Sequence, residues 1–374
     1  MIPTITAIIP AAGYASRMGS IKPLLPLGKG TVIDTIFGSF KGAGVTDVIV
    51  VLGHRYKEII LELKKNNVVW VVNEQYAQGM MSSFKKGIEA LGDGTQAFFI
   101  MPADIPLVRP STLKDLVNTH KAHPGQIIYP TFQGQRGHPP LIPTYFREKI
   151  LSYEGPGGLR RCLKAWDRDA LDVATSDQGI LMDMDTPDDY ETILQRSKNL
   201  DIPSKQEALA LLKIHQQDNP KGMEHATTVA SLAVAVGIAL KRAGNNVNVQ
   251  LIEAAGILHD IAKGRPGHAQ RGADLVSAKG FPTVADVVGK HMDLAVDPEG
   301  RIREQEVVFL ADKMVRGAEL VSLEKRLQLK KEQFAGDPEA VKMATSRMEQ
   351  AMSIKQTIEK IIRRPLEKLF VEKE

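Results

Sequence analysis

Two hydrophobic rhythms divide the chain. From Thr4 to about Val173, short β-branched runs recur: "TITAIIP", "DVIVVLG", "VVWVVN", "AFFIMP" and "QIIYP". Short apolar runs bounded by turn residues predict buried strands. Between them lie "VIDTIFGSFKGAG", "RYKEIILELKKN" and "MSSFKKGIEAL", with apolar residues at helical spacing. Strand–helix–strand alternation predicts a three-layer, Rossmann-like α/β domain with a mostly parallel sheet covered on both faces. Ligands of such sheets bind at the carboxyl ends of the strands.

Near Lys205 the rhythm changes. "SKQEALALLKIH", "HATTVASLAVAVGIALKRAG", "VQLIEAAGILHDIAKG" and "REQEVVFLADKMVRGAELV" are long, periodic and rich in Ala and Leu. They predict an all-helical second half. The polar, proline-bearing "SKNLDIPSKQ" marks the junction. The expected organisation is an α/β domain over 1–198, a linker over 199–206, a helical domain over 207–335 and a helical tail over 336–374. The tail, rich in Lys, Glu and Met, reads as a packing or dimerisation helix, which leaves room for a homodimer. The longest apolar stretch, Val229 to Leu240, falls short of the roughly 20 residues of a membrane span. It reads as a core helix, and no membrane partner is expected.

Composition adds limits to this picture. A chain of 374 residues suits two domains. Net charge is +4, from 48 basic and 44 acidic residues, too balanced to predict a nucleic-acid partner. A lone cysteine, Cys162, excludes an internal disulfide and suits a reducing compartment. The N-terminus lacks the basic and apolar pattern of a signal peptide, so a cytoplasmic location is expected.

Candidate chemistry starts in "AIIPAAGYASRMGSIKPLLPL". The small residues Ala11, Ala12 and Gly13 follow a strand and allow close approach of backbone N–H groups to an anion. A following helix N-terminus would add its dipole. Arg17 offers a planar fork for phosphate oxygens, and Lys22 a compact charge. In "FFIMPADIPLV", Asp104 emerges at the end of another strand, where a lone carboxylate beside phosphates suits Mg²⁺. The cluster "MDMDTPDDY" offers Asp185 or Asp183 to complete the metal shell, while Thr186 or Asp185 with Pro187 reads as a helix cap.

These residues together resemble the MobA-like nucleotidyltransferases, and most closely the molybdenum cofactor cytidylyltransferases. The resemblance rests on Gly13, Arg17, Met18, Gly19, Lys22, Leu24 and Leu25, and covers nearly all of the first half. It implies a nucleotide pocket that includes Asn73, Gly79 and Ser83. It also implies CTP as donor, because Ala12 stands where guanylyltransferase relatives carry glycine. "RGHPPLIP", with Gly137, His138 and Pro139, fits the same branch. The implied reaction is attack of an acceptor phosphate on the α-phosphate, with Mg²⁺ on Asp104 and charge neutralised by Lys22 and Arg17.

In the helical half, His225, His259, His268 and His291 stand out, with Asp260 next to His259 and Asp312 inside the apolar "VVFLADKMV". Imidazole and carboxylate are ligands for Fe, Mn, Co, Ni or Zn, and ionised groups on apolar faces are costly unless paired or bound to metal. The order His…His-Asp…Asp resembles the HD phosphohydrolases. That resemblance implies a metal set of His225, His259, Asp260 and Asp312, with His268 and His291 for a second ion. Lys263, four residues after His259, is expected on the same helix face and in reach of a phosphate. The combined expectation is a bifunctional enzyme. The alternative is a sugar- or alcohol-phosphate nucleotidyltransferase whose HD half senses a nucleotide.

Overall fold

The computed structural model describes residues 4–13, 20–66, 68–216, 219–294 and 300–371. It divides into two compact units, Met1–Asn199 and Leu200–Glu374.

The first unit is built on one mixed sheet. In spatial order its strands are Leu171–Ala174, Ile128–Phe132, Leu141–Pro143, Ala97–Ile100, Ile5–Ala11, Asp47–Leu52 and Val69–Val72. Leu141–Pro143 runs antiparallel to both neighbours, and Gln135–Arg136 folds back antiparallel on Ile128–Phe132. The other pairings are parallel. All five expected strands are present. Those that pattern did not mark are two to four residues long, too short to show a period.

Ile5–Ala11 is central and wholly buried. Its alternation explains the layers, because successive side chains of a strand face opposite ways. Ile8 shares a core with Ile49, Val51, Phe98 and Ile100, against Phe84 and Ile88 of the helix Met80–Glu89. Phe99 points the other way and meets Phe40 of the helix Val32–Gly42, ring centroids 5.5 Å apart. Gly87 permits the close approach on the first face. A Cβ there would lie 2.4 Å from Ile8 Cγ2 and 2.9 Å from Val51 Cγ2. Gly87→Ala is therefore expected to push the helix off the sheet and cost about 1–3 kcal/mol, read as a lower melting temperature.

In the second unit, helices enclose a core that includes Val229, Leu232, Val236, Ile252, Phe281 and Phe309. Two expectations change here. The unit is not purely helical: after the helix Glu304–Met314, Val315–Arg316 and Glu319–Leu320 form a small antiparallel hairpin around Gly317, at φ +63°. Further, the apolar run Val229 to Leu240 belongs to a helix of 23 residues, Pro220–Arg242. By length and composition that helix is long enough to cross a membrane. More than half of its most apolar window is buried inside the unit, as in a core helix. The tail helix Pro338–Ile362 buries Ala344, Met348, Ala351, Ile354 and Ile358, and Met348, Ala351, Ile354 and Ile358 join that same core. Its apolar stripe is thus used inside the unit.

Candidate active sites

A cavity of about 590 Å³ opens at the carboxyl ends of Ile5–Ala11 and Ala97–Ile100. Ala11, Ala12, Gly13, Lys22, Gly79, Ser83, Asp104 and Asp185 all line it. Gly79 has φ +100° and begins the helix Met80–Glu89, a conformation that L side chains avoid. Asn73 is buried and is not on the wall. Its amide donates to Ser82 Oγ at 2.8 Å and Ser83 Oγ at 3.0 Å, and its carbonyl accepts from the Gln75 N–H. It therefore positions the loop and helix that carry Gly79 and Ser83. Arg17 lies outside the described residues, as does the helix start expected after the glycine turn. The chain re-emerges as a single 3₁₀ turn at Lys22–Leu24.

Lys22 is the electrostatic centre of this cavity. Its ammonium lies 2.8 Å from Asp185 Oδ1 and 3.6 Å from Asp104 Oδ2. Burial pushes the Asp104 carboxyl above its usual range; Lys22 opposes that rise, while Asp185 and Asp183 add to it. Burial likewise lowers the pKa of His138, against the pull of Asp104. Two converging carboxylates with a cation between them suit Mg²⁺, and the ammonium marks where positive charge is accepted. Thr186, not Asp185, caps the helix Pro187–Ser197, closing a capping box with Asp189, so Asp185 is left for the cavity. His54, Arg55, Tyr76 and Met80 line the cavity as well and escaped the sequence reading. For His54 and Arg55 a signal existed: they follow directly on the carboxyl end of Asp47–Leu52.

In the helical unit, four imidazoles converge on two carboxylates. The ligand atoms of His225, His259 and Asp260 lie within 4.8 Å of one another, and so do those of Asp260, His268 and His291. Asp260 belongs to both sets. Its Oδ2 is 3.5 Å from His259 Nε2 and 3.9 Å from His225 Nε2, and its Oδ1 is 3.5 Å from both His268 Nε2 and His291 Nε2. Asp312 Oδ1 closes the first set at 3.4 Å from His225 Nε2 and 3.6 Å from His259 Nε2.

The surroundings orient these rings. Nδ1 of His225, His259 and His291 lies 3.1, 2.8 and 2.7 Å from the carbonyls of Gly317, Gly256 and Val288. A carbonyl only accepts, so Nδ1 carries the proton and Nε2 is turned toward the carboxylates. The hairpin at Gly317 thus supplies an orienting group for His225. The Nε2 atoms of His259 and His291 are buried with no hydrogen-bond partner among the described residues. Burial alone would raise both carboxyls, yet His259 holds Asp260 below its usual range, and Lys313 with His225 and His259 holds Asp312 well below it. Burial would lower His259, but Asp260 and Asp312 outweigh it and push the imidazole up to about 10. The cluster calls for positive charge, and its donor set fits one or two divalent transition metals.

Lys263 reaches this site differently from the expectation. The helix ends at Leu258, and Lys263 lies in the turn beyond, bonded to Asp260 Oδ2.

Residues 7–171 match the MobA-like NTP transferase domain, and residues 222–317 match the HD domain. The molybdenum cofactor cytidylyltransferase of Escherichia coli (strain K12) is 30% identical over 195 residues, which cover 51% of this chain and 96% of that protein. The chain belongs to the MobA-like NTP transferase family. Its MobA-like unit is accordingly a nucleotidyltransferase unit, followed by an HD domain. Nicotine blue oxidoreductase of Paenarthrobacter nicotinovorans is 27% identical over 204 residues, covering 52% of this chain and 98% of that one. A solved nucleotidyl transferase from Methanothermobacter thermautotroptrophicus is 25% identical and covers 52% of this chain and 98% of its own, at a TM-score of 0.46.

Proposed function

We propose that the chain is a cytoplasmic bifunctional enzyme: a Mg²⁺-dependent cytidylyltransferase acting on a molybdopterin-type phosphate, and a metal-dependent phosphoester hydrolase. The observation that carries the first activity is the grouping of Lys22, Asp104 and Asp185 in the cavity that Ala11–Gly13 also line. The named cytidylyltransferase relative supports the choice of nucleotide and acceptor. The free, buried Cys162 suits a reducing compartment.

In this reading the acceptor phosphate oxygen attacks the α-phosphorus of CTP, the α–β bridging bond breaks and pyrophosphate leaves. Asp104 and Asp185 would hold Mg²⁺, which would supply positive charge beside the phosphates. Lys22 turns from the carboxylates to phosphate oxygens, joined by Arg17. Ala11, Ala12 and Gly13 admit the nucleotide close to the backbone, and Gly79 and Ser83 line the same cavity. No covalent nucleophile is needed, because positioning and charge stabilisation carry the rate.

In the HD domain, His225, His259, Asp260 and Asp312 would hold one ion, and Asp260, His268 and His291 a second. When bound, such ions would supply the positive charge that polarises a phosphate and activates water. Asp260 belongs to both sets, and Lys263 is placed beside it to take a phosphate oxygen. Water adds to phosphorus, the P–O bond to the organic group breaks, and the alcohol leaves with a proton.

The test is pyrophosphate release by the purified chain with Mg²⁺, a molybdopterin-type acceptor and either CTP or GTP. CTP should be preferred, and Ala12→Gly should shift kcat/KM toward GTP by about tenfold, the scale of one small contact in a pocket. No release with any nucleotide would overturn the assignment. An unchanged CTP/GTP ratio in Ala12→Gly would remove Ala12 from the choice of base.

A further inference from the structure

A cavity of about 520 Å³ adjoins the metal cluster of the HD domain, and His225 and Asp260 both line it. Much of the wall comes from the helix Leu323–Gln333, beyond residue 317 where the HD match ends. Arg326, Leu329, Lys330 and Gln333 recur at helical spacing and all line the cavity. Arg316, on the hairpin, lines it as well. Arg316, Arg326 and Lys330 therefore share one cavity with the metal ligands His225 and Asp260 and with Lys221 and Lys263, and Leu212 and Leu329 add apolar wall.

These cations are poorly balanced. Arg326 is half-buried, and its Nε is shielded from solvent with no hydrogen-bond partner among the described residues. Burial, followed by Arg316, lowers its pKa despite the pull of Asp312 and Asp260. Lys330 is lowered by burial and then by Arg326, Lys263 and Lys313; its ammonium donates to Gln333 Oε1 at 3.0 Å and lies over the Phe334 ring. The carboxylates nearest to them are already engaged, Asp260 by Lys263 and Asp312 by Lys313. Like charges gathered in a half-buried pocket are costly unless an anion joins them.

We infer that Arg316, Arg326 and Lys330 form a second phosphate subsite, and that the HD domain acts on small organic bisphosphates. One phosphate enters the metal cluster, the organic body lies along Leu212 and Leu329, and the second phosphate meets the three cations. Hydrolysis breaks the P–O bond at the metal end and leaves the distal phosphate on the product. The inference rests on the hydrolase reading for which phosphate is cleaved, but the subsite itself does not.

The experiment compares fructose 1,6-bisphosphate with fructose 6-phosphate, and adenosine 3′,5′-bisphosphate with AMP, on the full chain loaded with Mn²⁺. Turnover and calorimetric binding are both measured. The parent should favour at least one bisphosphate over its monophosphate by about tenfold, as expected for charge-assisted hydrogen bonds to a second phosphate. The Arg326→Gln/Lys330→Gln double variant should lose that preference, mainly through KM or Kd, and keep its bound metal. Arg326→Lys should restore part of it. Binding that depends on Arg326 without turnover would uphold the subsite and sink the hydrolase reading. Turnover without a bisphosphate preference, or a preference unmoved by the double variant, would overturn the subsite.

Discussion

Asp260→Asn is expected to strip the HD domain of both metal positions and reduce phosphoester hydrolysis by at least about 100-fold. Residues that merely orient metal ligands already cost 10–100-fold when removed, and Asp260 is itself the carboxylate shared by both sets. Asparagine keeps the shape but loses the charge that draws four imidazoles and Lys263 together. Elemental analysis of purified parent and variant, with a phosphatase assay over several divalent metals, gives the result. Nucleotidyl transfer by the same preparation reports whether the chain has folded. Metal content equal to the parent's would contradict the assignment of Asp260, whatever happened to the activity.

Asp104→Asn is the complementary change. Nucleotidyl transfer should fall by about 10²–10³-fold in kcat, the usual cost of removing one preorganised charge from a site of this kind. Hydrolysis by the HD domain and its metal content should stay at parental levels. Melting should separate a functional role from a structural one. Asp104 is a partly buried carboxylate beside two other acids, with Lys22 as its compensating cation. Burying that charge is unfavourable, so asparagine should leave the melting temperature unchanged or raise it. A variant with parental transfer kinetics would remove Asp104 from the metal site, and a large drop in melting temperature would make it a structural residue.

How much of this was legible beforehand depends on the range of the interactions. The strands that end at Ala11 and Ile100 could be read because a buried strand needs only its own apolar run. His225, His259, Asp260, His268, His291 and Asp312 could be named because ionisable side chains inside apolar helices are costly without partners. Asn73 was placed in the pocket by resemblance, yet its amide is spent on Ser82 and Ser83. Lys263 was placed on a helix face, but the helix stops at Leu258, and the turn beyond brings the lysine to Asp260.

The sequence by itself determined the two-part architecture, the strand ends that carry Asp104 and the glycine turn, and the inventory of candidate metal ligands. All of these depend on local periodicity and on the cost of burying charge. Only the tertiary structure decided that Lys22 meets Asp185 across 163 positions, that Asp260 is shared by both histidine sets, and that the hairpin at Gly317 orients His225. It also brought Arg326 and Lys330 of "LEKRLQLKKEQ" to a cavity that His225 and Asp260 line. Such long-range pairings depend on how many packed elements close together, which no single stretch of the chain encodes.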